Sequence, residues 1–201
     1  FRDALRRVVQ QTLPDVAVRE ADSVPALLDV LEQDAQISLV LLDLGMPGAQ
    51  GFSALIHLRA QYPALPVLVV SASEDPALIR RALRHGAVGF VPKSSPLPVL
   101  AEALRAVLDG ERWVPPGVGD APLDSEEVEL AARVAELTPQ QFRVLGMLCA
   151  GLLNKQIAYE LNVSEATVKA HMTAVLRKFG AHSRTQVALM AARLGIEPVG
   201  G

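Results

Sequence analysis

Three polar side chains follow three separate apolar runs, and their types suit one reaction. Residues 37–42 (ISLVLL) lead into Asp43, residues 67–70 (VLVV) into Ser71, and residues 88–91 (VGFV) through Pro92 into Lys93. Short continuous apolar runs read as strands buried on both faces of a parallel sheet, and in such sheets ligands bind beyond the carboxyl ends of the strands. A carboxylate there can attack a phosphoryl group. An ammonium can pair with the resulting anion, and a hydroxyl can hydrogen-bond one of its oxygens. Singly, each residue has a plainer use, since Asp after a strand forms turns or caps, Ser is common in loops and a lone Lys is usually solvated. Their joint placement at successive strand ends is what points to chemistry.

A second group of residues is spaced for a different task. Residues 154–161 (NKQIAYEL) read as a helix, 162–164 (NVS) as a tight turn, and 165–179 (EATVKAHMTAVLRKF) as a longer helix ending before Gly180. That is a helix-turn-helix arrangement, whose second helix reads base edges in a major groove. Ser164 suits the N-cap of the second helix, and Gly180 suits the left-handed residue that ends it. Upstream, Thr138-Pro139-Gln140-Gln141 forms a capping-box pattern, and Ser183-Arg184-Thr185-Gln186 repeats it for a last helix.

The reading helix divides into two faces. Val168, Met172, Val175 or Leu176, and Phe179 recur at three and four residues and form its buried stripe, leaving Lys169, Ala170, Thr173 and Arg177 elsewhere. Ala170 is small enough to admit a base edge or thymine methyl, Thr173 can donate or accept, and Lys169 can reach a guanine edge or a phosphate. The plainer alternative is a four-helix structural domain with a solvated polar face. In the last helix Val187, Met190 and Leu194 share a face and offer apolar surface for a dimer contact, unless that stripe packs inside its own domain.

These residues require elements to position them. Residues 1–110 alternate helix and strand patterns: helices at 1–11, 24–33, 51–61, 75–84 and 98–108, and strands at 16–19, 37–42, 67–71 and 88–91. This is the signature of an α/β doubly wound parallel sheet. Residues 111–136 form a linker that holds Pro115-Pro116-Gly117 and a short acidic helix within 123–137, and residues 137–201 form an all-α helix-turn-helix domain. Trp113 is expected to pack the end of the preceding helix. The acidic helix either helps mask a basic DNA face or is simply solvated.

Charge separates the halves. Residues 137–201 carry seven Lys and Arg against three acids (+4), while residues 1–136 carry twelve against nineteen (−7). A basic module on an acidic partner fits a regulated DNA binder. No apolar run approaches the roughly 20 residues of a membrane span, which argues against a membrane partner. The lone Cys149 excludes an internal disulfide and suits a reducing compartment. Aromatic residues are 4% of the chain, too few for a base-stacking single-strand platform.

The stretch LTPQQFRVLGMLCAGLLNKQIAYELNVSEATVKAHMTAVLRKFGAHSRTQVA resembles the LuxR-type DNA-binding domain. The resemblance implies base contacts from Lys169, Ala170 and Thr173, phosphate contacts from Asn154, Lys155, Ser164, Thr167, Lys178 and Arg184, and pairing through the last helix. Gln140-Gln141 replaces the family's usual Arg-Glu, which puts any salt bridge there in doubt. LVLLDLGMPGAQG around Asp43, VLVVSAS around Ser71 and GAVGFVPKS around Lys93 resemble a two-component receiver domain, which is flavodoxin-like. Together the halves resemble a NarL/FixJ-type response regulator. The resemblance implies that a sensor histidine kinase phosphorylates Asp43, with Mg2+ held partly by Asp43 and the Gly45 carbonyl. It further implies that Ser71 turns toward the phosphate while Phe90 repacks inward behind it. The implied partners are double-stranded DNA and a second copy on DNA, with RNA polymerase a further candidate, in a bacterial cytoplasm.

One departure bears on the receiver. Relatives begin with a central strand ending in an acidic pair that supplies most Mg2+ ligands, whereas this chain opens at Phe1 within the following helix. Without that strand, the edges at 16–19 and 37–42 have unpaired backbone groups, so the sequence reads as part of a longer product. A degenerate receiver in a phosphorylation-independent regulator is the alternative. An aspartyl-phosphate hydrolase is a further class, but such enzymes want an Asp two residues after the nucleophile, where Gly45 stands.

Overall fold

The computed structural model describes residues 2–47, 51–118 and 125–194. In its N-terminal half, α1 (Arg2–Thr12) and α2 (Val24–Gln33) precede β1 (Val40–Leu42). Helix α3 (Ser53–Gln61) leads to β2 (Val67–Ser71), α4 (Pro76–Arg84) leads to β3 (Gly89–Pro92), and α5 (Leu97–Leu108) follows. The strands pair in parallel in the order β1-β2-β3, with Leu42 beside Val69, Val69 beside Phe90, and Ser71 beside Pro92.

Alternation along these strands builds two cores. Val40, Leu42, Val67, Val69 and Phe90 pack with Leu28 of α2, Leu55 of α3 and Ile79 of α4. Leu68, Val70 and Val91 face the other way, onto Val8 and Val9 of α1 and Leu100 and Leu104 of α5. Helix starts follow their caps: Ser23 Oγ accepts from the Ala26 amide ahead of α2, and Asp75 Oδ1 accepts from the Ala77 amide at 2.9 Å ahead of α4.

The sheet is smaller than the sequence pattern suggests. Residues 16–19 are not a strand, and Val16 is 43% exposed. A strand exists through the backbone hydrogen bonds of its neighbour, and among the described residues β1 pairs only with β2. The same cause trims 37–42, where pairing starts at Val40, whose amide donates to Pro66 O. Beyond β3 the chain adds backbone pairing of its own. Trp113 lies alongside Gly89, with the Phe90 amide donating to Trp113 O and the Trp113 amide to Val88 O. A Cβ at Gly89 would stand 2.7 Å from Trp113 O, so this approach requires glycine. The Trp113 side chain packs against the core that contains α5, as expected.

The C-terminal half holds α6 (Ser125–Ala135), α7 (Pro139–Cys149), α8 (Asn154–Glu160), α9 (Glu165–Phe179) and α10 (Arg184–Arg193). Thr138 and Gln141 form the reciprocal capping box of α7, at 3.3 and 3.2 Å. Ser164 and Ser183 cap α9 and α10, and Gly180 ends α9 with φ 63°. Helix α8 starts otherwise: Leu153 has no side-chain acceptor, and only Gln156 Oε1 reaches back, to the Leu153 amide at 2.7 Å. Residues 119–124 of the sequence's linker lie outside the described residues.

Helix α3 joins the halves. Its residues Ser53 to Leu58 are all buried, so it has no solvent face over that stretch. A helix buried all round needs partners on two sides. The sheet supplies one and the C-terminal half the other, and a single apolar cluster runs from Leu28 and Leu55 to Leu137, Phe142 and Leu194.

Candidate functional site

Because β1, β2 and β3 run the same way, Asp43, Ser71 and Lys93 all fall at one edge. Lys93 Nζ donates to Asp43 Oδ2 at 2.5 Å, and the Gly45 amide donates to Asp43 Oδ1 at 2.9 Å. The Lys93 amide donates to Ser71 O at 2.7 Å, which fixes the third loop against the second. The side chains of Asp43 and Lys93 are 35% and 26% exposed, open enough for a donor molecule to reach. Ser71 is buried, and its Oγ accepts from the Ser73 amide at 3.3 Å. The edge thus brings the acid and the base together, with the hydroxyl held in its own turn.

Two details depart from the sequence expectations. Phe90 is fully buried in the core beside Val69 and Ile79, so inward repacking has no outward starting point here. Its place at the centre of the pairing of β3 with β2 puts an apolar ring over the core, where burial favours it. The second detail is a clasp the sequence did not signal: Ser94 Oγ donates to Glu74 Oε1 at 2.5 Å, tying the loops after β2 and β3.

Mg2+ is implied by the resemblance, and the described residues do not fit it by themselves. Asp43 already accepts from Gly45 through one oxygen and from Lys93 through the other. Among the described residues, no cluster of three His, Cys, Asp or Glu suited to a metal ion is present.

The helix-turn-helix pair forms as spaced. Ile157 and Ala158 of α8 and Val168, Met172, Val175 and Phe179 of α9 are buried, while Leu176 packs at the margin. Asn162 carries the turn at φ 51°, a left-handed conformation that Asn tolerates. Lys169, Ala170, Thr173 and Arg177 are exposed together on the outer surface of α9. Thr173 Oγ1 donates back to Lys169 O at 2.9 Å. Of the candidate phosphate contacts, Lys155 and Ser164 are exposed, and Asn154, Thr167 and Arg184 are half-buried. Ser164 Oγ also accepts from the Thr167 amide, and Arg184 donates to Leu152 O at 2.9 Å.

Three expectations for this half change. Lys178 does not point freely to solvent: its ammonium donates to Glu136 O at 2.6 Å and to Gln141 Oε1 at 2.7 Å. Gln141 retains an acceptor there, so Lys178 anchors α9 to the turn between α6 and α7. Val187 and Leu194 are fully buried, with Ala191, because α10 packs on α6, α7 and α9, and only Met190 of the proposed dimer face is partly exposed. The outward apolar residue of α10 is Leu189, 67% exposed. The acidic helix α6 leaves the reading face uncovered. Its Glu127 takes Arg81 Nε at 2.8 Å, and its Glu126 pairs with Arg193.

Sequence reasoning missed the seam between the halves. His57 of α3 is fully buried and stacks on Phe142 of α7, with centroids 4.2 Å apart and planes 4° apart. Burial holds its pKa down at about 4. His85 Nε2 lies 2.8 Å from Glu127 Oε1, and burial lowers its pKa although Glu127 pulls it upward. On the opposite side Arg143 pairs with Asp29 at 2.5 Å and with Glu32 at 3.6 Å. Gln61 Nε2 donates to Leu137 O at 3.3 Å, and the Phe52 amide to Leu194 O at 3.1 Å. The one available signal was His57 within the apolar run Ala54–Leu58 of α3. Cys149 is buried in the C-terminal core, and burial raises its pKa to about 12, so it packs as a thiol.

An acid paired with a lysine at parallel strand ends, joined to a helix-turn-helix pair, defines the class: a receiver coupled to a DNA-binding module. Residues 1–105 match the family model described as the response regulator receiver domain, and residues 135–191 match that of the bacterial regulatory proteins of the luxR family. The glycerol metabolism activator of Pseudomonas putida is 38% identical over 198 residues, covering 95% of this chain and 90% of that protein. The nitrate/nitrite response regulator NarL of Escherichia coli is 31% identical over 192 residues, covering 92% and 88%. The RcsB response regulator of Salmonella typhimurium shares the fold, with a TM-score of 0.52 at 21% identity over 96% of this chain and 92% of that one. The chain belongs to the NarL/FixJ-type response regulators. That family is one of transcription regulators rather than enzymes. Among the described residues, no helix is long and apolar enough to cross a membrane.

Proposed function

We propose that this chain is a phosphorylation-switched, sequence-specific DNA-binding regulator, with residues 1–110 as receiver, 111–136 as linker and 137–201 as DNA-binding domain. The observation that carries the reading is the 2.5 Å contact of Lys93 Nζ with Asp43 Oδ2 at the open sheet edge. In the reaction an Asp43 carboxylate oxygen forms a bond to phosphorus as the donor's bond to that phosphorus breaks. Lys93 then faces the new dianion, and Ser71, released from the Ser73 amide, donates to one of its oxygens. A sensor histidine kinase is the donor, and double-stranded DNA the partner that places the protein in the cytoplasm.

On DNA, Lys169, Ala170 and Thr173 read bases, while Asn154, Lys155, Ser164, Thr167 and Arg184 hold phosphates. Lys178 supports this surface from behind. A solved structure of two RcsB dimers bound to two parallel DNAs supports pairing of two copies on DNA here. The exposed Leu189, with Met190 at its edge, is the α10 surface for that contact. Treatment of the protein with acetyl phosphate, with and without added Mg2+, followed by intact-mass measurement, tests the switch. One added phosphoryl group, absent from Asp43→Asn, is expected. No gain in mass under either condition favours a regulator that works without phosphorylation.

A further inference from the structure

Two histidines sit where the halves of the chain meet, and each packs against a residue of the other half. His57, from the middle of α3, lies under Phe142 of α7, and neither of its ring nitrogens has a well-formed hydrogen-bond partner. The Val134 carbonyl of α6 lies near the ring without completing such a bond. His85 follows α4, packs on Phe52 at 5.1 Å between centroids, and meets Glu127 of α6. Its side chain is 4% exposed.

We propose that closure of the helical half onto the α/β half is proton-linked, with His57 as the group that must be neutral for the two to dock. A charged imidazolium in this stack would bury two N–H donors with only the poorly placed Val134 carbonyl to accept, which is disfavoured. The other titratable and charged groups of the seam are Arg143, Asp29, Glu32 and Tyr62 on one side, and Arg81, Glu127, Arg193 and Glu126 on the other. None of these shifts His57, whose environment is set by burial against the weaker pull of Val134.

The direction follows from the sign of the shift. His57 is held at about 4 when docked and regains an ordinary value near 6.5 once the halves part. A group lowered in the closed state favours closure fully above the open-state value and loses that contribution as pH falls below it. Between pH 8 and pH 5.5 the balance should move about tenfold toward the open form. His85 acts in the same sense, with burial and Arg81 lowering it and Glu127 opposing. Carboxylates ordinarily titrate near 4, so this window isolates the histidines.

Small-angle scattering of the whole chain at pH 8 and pH 5.5, at fixed ionic strength, tests the proposal. The parent should expand at pH 5.5. His57→Phe, which keeps an aromatic stack but cannot titrate, should expand much less, and adding His85→Gln should remove the remainder. Equal compactness of the parent at both pH values overturns the proposal, as does an expansion of His57→Phe equal to the parent's. If that variant misfolds, the imidazole resonance of His57 in the parent decides: titration well below the ordinary value supports the proposal, and titration near 6.5 overturns it. Neither phosphorylation nor DNA enters the measurement, so the result stands apart from the function proposed above.

Discussion

The sheet-edge site and the reading helix are built by opposite means. Asp43 and Lys93 lie 50 residues apart and meet only because parallel strands deliver both to one edge. Lys169, Ala170 and Thr173 occupy adjacent turns of one helix, capped at Ser164 and stopped at Gly180. A site of the first kind depends on the whole α/β domain, whereas one of the second kind needs only a short helix held against its neighbours. Chemistry that must close around a phosphoryl group draws on distant residues, and recognition of a groove uses a contiguous surface.

The largest effect expected from this contrast is at Asp43. Asp43→Asn removes the anionic nucleophile and should abolish phosphoryl transfer while leaving the melting temperature close to the parent's. Undiminished labelling of that variant would show that another residue is the acceptor.

Next is Phe142→Ala, which attacks the seam that ties the two sites together. Truncating a buried Phe costs about 3 to 5 kcal/mol. Since Phe142 lies in the apolar cluster that also holds Leu55 and Leu28, calorimetry should show both halves destabilised together. A shift confined to the C-terminal half would mean that the cores are independent.

Smaller effects distinguish two lysines of α9. Lys169→Ala should cost roughly 1 to 3 kcal/mol in binding and relax preference at one base position. Lys178→Ala should instead lower thermal stability by about 1 to 3 kcal/mol, by removing the Lys178 donor from Glu136 O and leaving Gln141 Oε1 only the Thr138 amide. An unchanged melting temperature together with a salt slope lowered by about one would return Lys178 to the phosphate contacts. Least of all, Thr138→Ala should cost about 1 kcal/mol by opening the capping box of α7.

The same contrast explains what could be read from the sequence. The helix-turn-helix boundaries were legible because caps and periodicity are local, and Thr138, Ser164, Gly180 and Ser183 all act as their types suggest. Asp43, Ser71 and Lys93 were legible as strand ends, but the hydrogen bonding of Ser71 within its own turn was not. The strand at 16–19 was misread because a strand-like residue pattern describes a local preference and not the presence of a neighbour to pair with. Val187 and Leu194 were misassigned for a related reason: an apolar stripe does not say whether its partner is the same chain or a second one. The seam through His57 and Phe142 joins positions whose proximity no local pattern encodes.

The proposed switch requires that chemistry at Asp43 governs the surface presented by α9 and α10. The most direct measurement is a set of binding isotherms of the intact chain on a cognate DNA site, taken before and after acetyl phosphate treatment, for the parent and for Asp43→Asn. Treatment should change the affinity or cooperativity of the parent and leave Asp43→Asn unchanged. Identical isotherms for treated and untreated parent, at confirmed stoichiometric labelling, would contradict it.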